Sequence, residues 1–300
     1  MLSTKVSDSF VDLEKQTFPL PAGTDPELRE LRRIIREPIA SYASLAALLL
    51  QVAHPGVGLG VHDHSEFATR QFDRAEKTAI FVYCMVLGSP EQKAYIKQWV
   101  DMVHSRVKGG QGEGQYFAQD ADLQLWVAAT MYDTMVKMYE RVYGPFPPDR
   151  AEEVLREFAI FGTALQVPPD AWPKDRAAFY KYYQNVIEND LVILPEAKKV
   201  YYHLVHPKVP LVFRPLMSLI IPLLLAIAIP LMPPEIVAGY EMKKPGRVSK
   251  MTASFMVSTY RLIPPFIRHA PQKYYMRRTR KMVKVLKERG FSPDMRMRSS

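Results

Sequence analysis

Along this chain the apolar residues recur every three or four positions and nowhere alternate convincingly, which restricts it to helices packed on helices. From Asp25 onward, Leu28, Leu31, Ile34 and Ile35 form one stripe that stops before Pro38. The run over 39–52 is apolar from Leu45 to Val52 except for Gln51, which predicts a helix near the centre of the core. It ends at Pro55-Gly56, and 55–60 reads as a Gly-rich turn. Ser89-Pro90-Glu91-Gln92 is a sharp helix start: Ser89 caps, Pro90 suits the first helical position and Gln92 completes a capping box. The helix it opens places Ile96, Trp99, Val100, Val103 and Val107 on one side and stops near Gly109-Gly110. Further helices are expected over about 121–143, 149–165 and 174–189, and the fold class is all-α.

Composition narrows the function. With 48% hydrophobic and 24% charged residues the chain is neither a disordered tail nor a collagen, and a single cysteine, Cys84, excludes an intramolecular disulfide. No Cys-x-x-Cys-His is present, so haem could not be attached covalently in the usual way. The net charge of +9 is uneven: from Glu241 to Ser300, Lys and Arg outnumber Asp and Glu by 16 to 3, while the rest is mildly acidic. A basic block beside an apolar run argues for a membrane surface and against nucleic acid as partner. That run, 215–234, is uncharged and long enough to span a bilayer, yet carries Pro215, Pro222, Pro230, Pro233 and Pro234. A span, a buried helix and an interfacial hairpin all remain open. Lys273, Arg277, Arg278, Arg280, Lys281, Lys284 and Lys287 follow, interleaved with Tyr274 and Tyr275, either as a membrane-facing helix or as a solvated basic face. The expected organisation is an N-terminal extension over 1–24, one helical domain over 25–212 and an apolar segment with a basic helix over 213–300, peripheral membrane contact running through 213–290. Residues 1–17 show neither a basic n-region nor an apolar h-region, so no secretory leader is expected, and the compartment stays open between a soluble intracellular and a membrane-associated one.

Few residues invite chemistry. His203, His206 and His269 sit beside prolines or basic residues and read as structural. His54 closes the apolar helix, where it would cap the carboxyl end. His62 and His64 form His-x-His, but no Glu-x-x-His or His-Glu-x-x-His accompanies it, which argues against a di-iron or zinc site. His104 lies at the edge of a buried stripe, either as a satisfied core histidine or as a ligand. Arg74, Lys77 and Thr78 share one helix face, continued by Phe81 and Met85. Two cations on a face shared with apolar groups call for an anion or an acidic cofactor arm, unless the face is simply solvated.

The ordered motifs His54-Pro55-Gly56-Val57, Gly60-Val61-His62-Asp63-His64-Ser65-Glu66-Phe67, Arg74-x-x-Lys77-Thr78 and Met102-Val103-His104-x-Arg106-Val107 resemble the MpaB-type oxygenases and the catalytic domain of the rubber oxygenases. The similarity runs over about 36–183, and Tyr260-Arg261-Leu262-Ile263-Pro264-Pro265 resembles the family's C-terminal segment. The resemblance implies a globin-reminiscent helical fold, a non-covalent haem b with His104 as iron ligand, and dioxygen as co-substrate. It also implies a distal set of Arg74, Lys77 and Thr78, with Lys77 able to take the sixth position in a closed state, and Arg106 belongs to the cofactor-binding group. No distal glutamate can be placed, which leaves Asp63, His64 or Glu66 as the base. Phe81, Tyr83, Met85 and Trp99 are candidate walls for a hydrophobic, isoprenoid or lipid-like substrate, although each also suits plain core. The expected activity is oxidative cleavage of a carbon–carbon double bond; the rivals are a haem-binding or haem-sensing protein without turnover and a membrane-attached structural protein.

Overall fold

The stripe of Leu31, Ile34 and Ile35 forms α1 (Arg29–Arg36) in the computed structural model, which describes residues 18–64 and 67–292. A 3-10 turn (Pro38–Ala43) leads into α2 (Ser44–Ala53), followed by α3 (Pro55–His64), α4 (Phe67–Leu87) and α5 (Pro90–His104). A hairpin of two short antiparallel strands, β1 (Lys108–Gly109) and β2 (Tyr116–Phe117), separates α5 from the long α6 (Ala121–Tyr143). Then come α7 (Pro148–Phe158), α8 (Ile160–Thr163), α9 (Arg176–Asn189) and α10 (Pro195–Val205). The apolar segment is α11 (Arg214–Ala228), and α12 (Pro234–Gly239), α13 (Arg247–Thr259), α14 (Pro265–Arg268) and α15 (Ala270–Arg289) complete the chain. The class is all-α, as the periodicity requires. The expected helix over 149–165 is broken at Ala159 into α7 and α8.

The core is continuous from Leu28 to Leu286. Helix α2 lies at its centre against α6 and the 3-10 turn. Ser89 accepts from the Gln92 N–H while the Gln92 side chain accepts from the Ser89 N–H, so α5 begins with the full capping box. Cys84 is buried on α4, where burial pushes its thiol up to about 12 and leaves it unreactive.

One expectation is corrected. Residues 55–60 are no turn but the first part of α3, which departs from the preceding helical run at 104°. Gly58 allows the close approach: a Cβ there would stand 2.5 Å from the Val52 carbonyl oxygen. His54 sits at this corner. Its Nδ1 accepts from the Gly56 N–H at 3.2 Å, so the ring serves the amino end of α3 rather than the carboxyl end of α2. Burial lowers its pKa, the opposite of what a carboxyl-terminal dipole would do.

Helix α15 packs on α4 and α5 and buries Thr279, Met282, Val283 and Leu286. Arg278 forms a bidentate pair with Glu76 of α4 at 2.7 and 3.0 Å, Tyr275 stacks on Tyr83, and Lys287 pairs with Glu91 of α5. The basic helix is therefore seated on the two helices that carry the candidate site.

Helix α1 starts from Leu28 in the left-handed region (φ 51°) with no side-chain cap of its own. Glu157, fully buried on α7, supplies the acceptors, taking the Leu31 N–H at 2.6 Å and the Glu30 N–H at 3.3 Å. Burial outweighs those bonds and raises its carboxyl from 4.5 to about 7. The folded protein thus keeps a proton that the unfolded chain releases above 4.5, so this group makes stability fall as pH rises from 4.5 towards 7. Glu157→Gln, which mimics the protonated acid, is expected to raise stability at pH 8 relative to pH 5 by about 1–3 kcal/mol compared with the parent. Urea titrations at the two pH values check it, and an unchanged difference would show that Glu157 is already ionised in the fold.

Candidate functional site

His104 is the last residue of α5, and the cap that stops the helix is made by the Ser105 N–H on the Asp101 and Val103 carbonyls. Its Nδ1 is fully buried and has no hydrogen-bond partner. A buried ring nitrogen without a partner is costly, which marks a position where a ligand or ion would be repaid. Burial lowers the imidazole pKa; Asp101 opposes this and the Arg74 charge reinforces it, so the ring is held neutral. Arg74 on α4 and His104 on α5 therefore stand within electrostatic reach of each other.

Lys77 lies one turn beyond Arg74. Its Nζ pairs with Asp73 at 3.0 Å and sits over the Trp99 ring, 5.8 Å from the centroid, with only 15% of the side chain exposed. Trp99 is fixed in turn by donating its indole N–H to the Ser292 carbonyl at 3.0 Å. Arg74, Lys77, Trp99 and His104 thus occupy the junction of α4 and α5. Thr78 is exposed, and so is Arg106, in the turn after His104.

Asp63 and His64, at the end of α3, are held by the hairpin. Asp63 accepts from Tyr116 Oη at 2.8 Å and from His62 Nδ1 at 2.9 Å, and these two bonds hold its carboxyl below the usual carboxylate range. His64 Nε2 meets the Lys108 carbonyl at 3.1 Å, and its ring stands edge-on to Tyr116. The same hairpin follows directly from His104: the Val107 N–H donates to the His104 carbonyl and the Ala118 N–H to the Val107 carbonyl, both at 2.9 Å. Gly60, one turn before Asp63 and His64, lies against Val107 and Tyr116. Glu66, the third candidate base, lies outside the described residues. Of the expected walls, Met85 is wholly buried and Tyr83 is stacked on Tyr275, so both serve the core, whereas Phe81 reaches towards Phe161 of α8.

Sequence reasoning missed the polar chain behind His104. Asp101, three residues earlier on α5, pairs with Lys97 and accepts from Gln166 Nε2 at 2.8 Å. Gln166 is tied to α6, its backbone N–H donating to Gln124 Oε1 at 2.9 Å while its own Oε1 accepts from Gln124 Nε2. The Gln119 side chain donates to the Asp101 carbonyl. Helical spacing from His104 to Asp101 could have suggested the first link; the rest depends on residues far apart in sequence. Among the described residues no group of three or more His, Cys, Asp or Glu could hold a metal ion. A single neutral imidazole fits instead a metal whose other ligands come from a cofactor, and the unpartnered Nδ1 gives that fit a physical basis.

What this describes is a helical domain in which a neutral, incompletely bonded histidine lies within reach of an arginine, with a lysine on the same α4 face. The family of the ER-bound oxygenase mpaB/B' and rubber oxygenase catalytic domain matches residues 31–266, and the chain belongs to that family. Two uncharacterized proteins, from Mycobacterium bovis and Mycobacterium tuberculosis, are each 35% identical over 148 residues, which is 48% of this chain and 58% of theirs. The chain thus spans little more than half the length of these relatives. No solved structure matches it.

Replacing Gln166 by Ala deprives both Asp101 and Gln124 of a partner and is expected to cost about 1–2 kcal/mol. Amide exchange at His104 and Ser105 should quicken relative to Ile96 on the same helix. Unchanged stability and exchange would show that Lys97 alone suffices to hold Asp101.

Proposed function

We propose that the chain is a haem b-dependent oxygenase acting with dioxygen on a hydrophobic, unsaturated, isoprenoid or lipid-like substrate, by oxidative cleavage of a carbon–carbon double bond. The observation that carries this reading is the His104 imidazole: neutral, half-buried, at the end of a well-capped helix, and with its buried Nδ1 unpartnered. Family membership supports the oxygenase class. Haem b, when bound, supplies the iron at which oxygen chemistry occurs.

The chain's own residues do the rest. His104 offers a lone pair because burial and the Arg74 charge both disfavour its protonation. Lys97, Gln166 and Gln119 hold the turn that carries it, so the ring's position is set from α6 and from the segment after α8. Arg74 brings a permanent positive charge to the α4–α5 junction, suited to a carboxylate arm or to negative charge developing on oxygen. Lys77, restrained by Asp73, is the second cation there, and Thr78 continues the face with a hydroxyl donor. Asp63 is held ionised by Tyr116 and His62, with His64 beside it at the end of α3, so a proton would reach Asp63 only at the expense of one of those bonds. Arg106, exposed after His104, is placed for an acidic arm that reaches the surface.

Purified protein titrated with haemin is expected to develop a Soret band, and His104→Ala should lower haem affinity by about tenfold or more and shift the band. Arg74→Ala and Lys77→Ala should retain haem while changing its spectrum. Absence of a Soret band in the parent protein would remove haem from the assignment, and an unaltered His104→Ala spectrum would remove His104 as ligand. Oxygen uptake with unsaturated lipids, giving carbonyl products, separates turnover from mere binding.

A further inference from the structure

Helix α11 is apolar enough to cross a membrane, yet its last turn is enclosed by the protein and cannot face lipid. Leu225, Ala226, Ile227 and Ala228 are buried, and the helix packs against α2 and the 3-10 turn at the centre of the fold. Residues 211–224 are exposed or half-buried, and fourteen helical residues reach about 21 Å, still short of the hydrocarbon thickness. The prolines at 215 and 222 are then unproblematic, one at the helix start and one where the helix enters the protein.

The open part does not stand alone. Helix α13 packs alongside α11 and exposes Val248, Met251 and Phe255 at helical spacing. It leads directly into Leu262 and Phe266. Exposure is extreme for such side chains: 74% for Leu219, 78% for Val248 and 79% for Leu262. A soluble surface rarely concentrates so much apolar area without a partner. The segment is held in place by a half-buried cluster in which Glu37 accepts from Tyr260 Oη and Arg268 Nη1, each at 2.9 Å, and faces His269 Nε2 at 3.2 Å. Arg268 also donates to Tyr143 Oη. The apolar surface is therefore preformed.

Its charge selects the partner. From His206 to Ala270 the chain carries eight Lys or Arg against Glu235 and Glu241, and Glu241 is paired with Lys198. Lys208, Arg214, Arg247, Lys250 and Arg261 are all exposed around the apolar residues. Two copies meeting through this face would bring like charges together. An anionic bilayer satisfies both features, taking the apolar side chains below its headgroups and the cations among them.

We propose that the surface formed by the start of α11, the outer side of α13 and the Leu262–Phe266 segment docks in the plane of an anionic lipid bilayer without crossing it. The basic α15 is not the anchor. This assignment is independent of the haem reading.

Flotation of the full chain with vesicles tests it, using pure phosphatidylcholine and phosphatidylcholine mixed with phosphatidylglycerol. Binding is expected only or mainly to the mixed vesicles. A Val248→Glu, Phe255→Glu, Phe266→Glu triple variant should bind at least about tenfold more weakly, as should Arg247→Gln combined with Lys250→Gln. All five positions are exposed, so thermal melting should be unmoved, which separates lost docking from lost folding. Lys284→Gln with Arg289→Gln, at the far end of α15, should leave binding intact. Failure of the parent chain to float, undiminished flotation of the triple variant, or loss on changing α15 alone would overturn the proposal. So would light scattering that shows a stable dimer broken by the triple variant, because the face would then belong to a second copy.

Discussion

Helix α2 ends inside the core, and a buried helix end needs partners for the carbonyls of its last turn. Here those partners come from distant parts of the chain. Tyr240 Oη donates to the Leu49 carbonyl at 2.8 Å, the Trp126 indole N–H to Leu50 at 3.2 Å and the Val192 N–H to Ala53 at 3.0 Å. The Gln51 side chain donates to Thr130 Oγ1 on α6. One helix terminus thus gathers α6, the segment after α9 and the residue after α12. Its geometry also sets the exit of α3, which can turn by 104° because Gly58 has no side chain to strike Val52. That exit carries Asp63 and His64 to the hairpin that follows His104, so the packing of α2 fixes the relation between the two ends of the candidate site.

At the site itself the decisive contrast is between backing and face. Behind His104, Asp101 has Lys97, Gln166 and Gln119 as partners. The ring's Nδ1 has none. The carboxylate is fully bonded while the imidazole nitrogen is not, which is the arrangement a ligand-holding histidine would need. The lowered pKa follows from the same burial, since charging the ring there would require solvation that the site does not provide.

How much of this could be read from the chain depends on range. The capping box at Ser89, the all-α class and the core stripe of α1 rest on local spacing, and the structure bears them out as read. Residues 55–60 misled because glycine and proline usually break helices, whereas here tertiary approach demands a side-chain-free helix surface at Gly58. The last turn of α11 looked as fit for lipid as the rest, since hydropathy carries no information about which residues α2 will cover. Gln166 and Gln124 are ordinary polar residues until the fold brings them to Asp101. Thr78 shares its helix face with Arg74 and Lys77 and yet is exposed, because the neighbours that cover a face are not encoded in its period.

The excess positive charge of the C-terminal fifth divides along the same line. On α15, Arg278 and Lys287 answer Glu76 and Glu91 on α4 and α5, so part of the basicity seats a helix against acidic partners within the fold. Arg268 is likewise taken up by Glu37. Lys273, Arg277, Arg280, Lys281, Lys284 and Arg289 of α15 are nevertheless exposed, as are Lys208, Arg214, Arg247, Lys250 and Arg261 around α11 and α13; what sets the second group apart is the exposed apolar surface beside it. Charge alone does not choose between the two groups; the apolar side chains exposed beside α11 and α13 are the ground for proposing lipid docking there. The junction of α4 and α5 is held by α15, whereas the exposed apolar surface of α11 and α13 is tied to the core through α2 and the Glu37 cluster, so the two surfaces are built from separate sets of contacts.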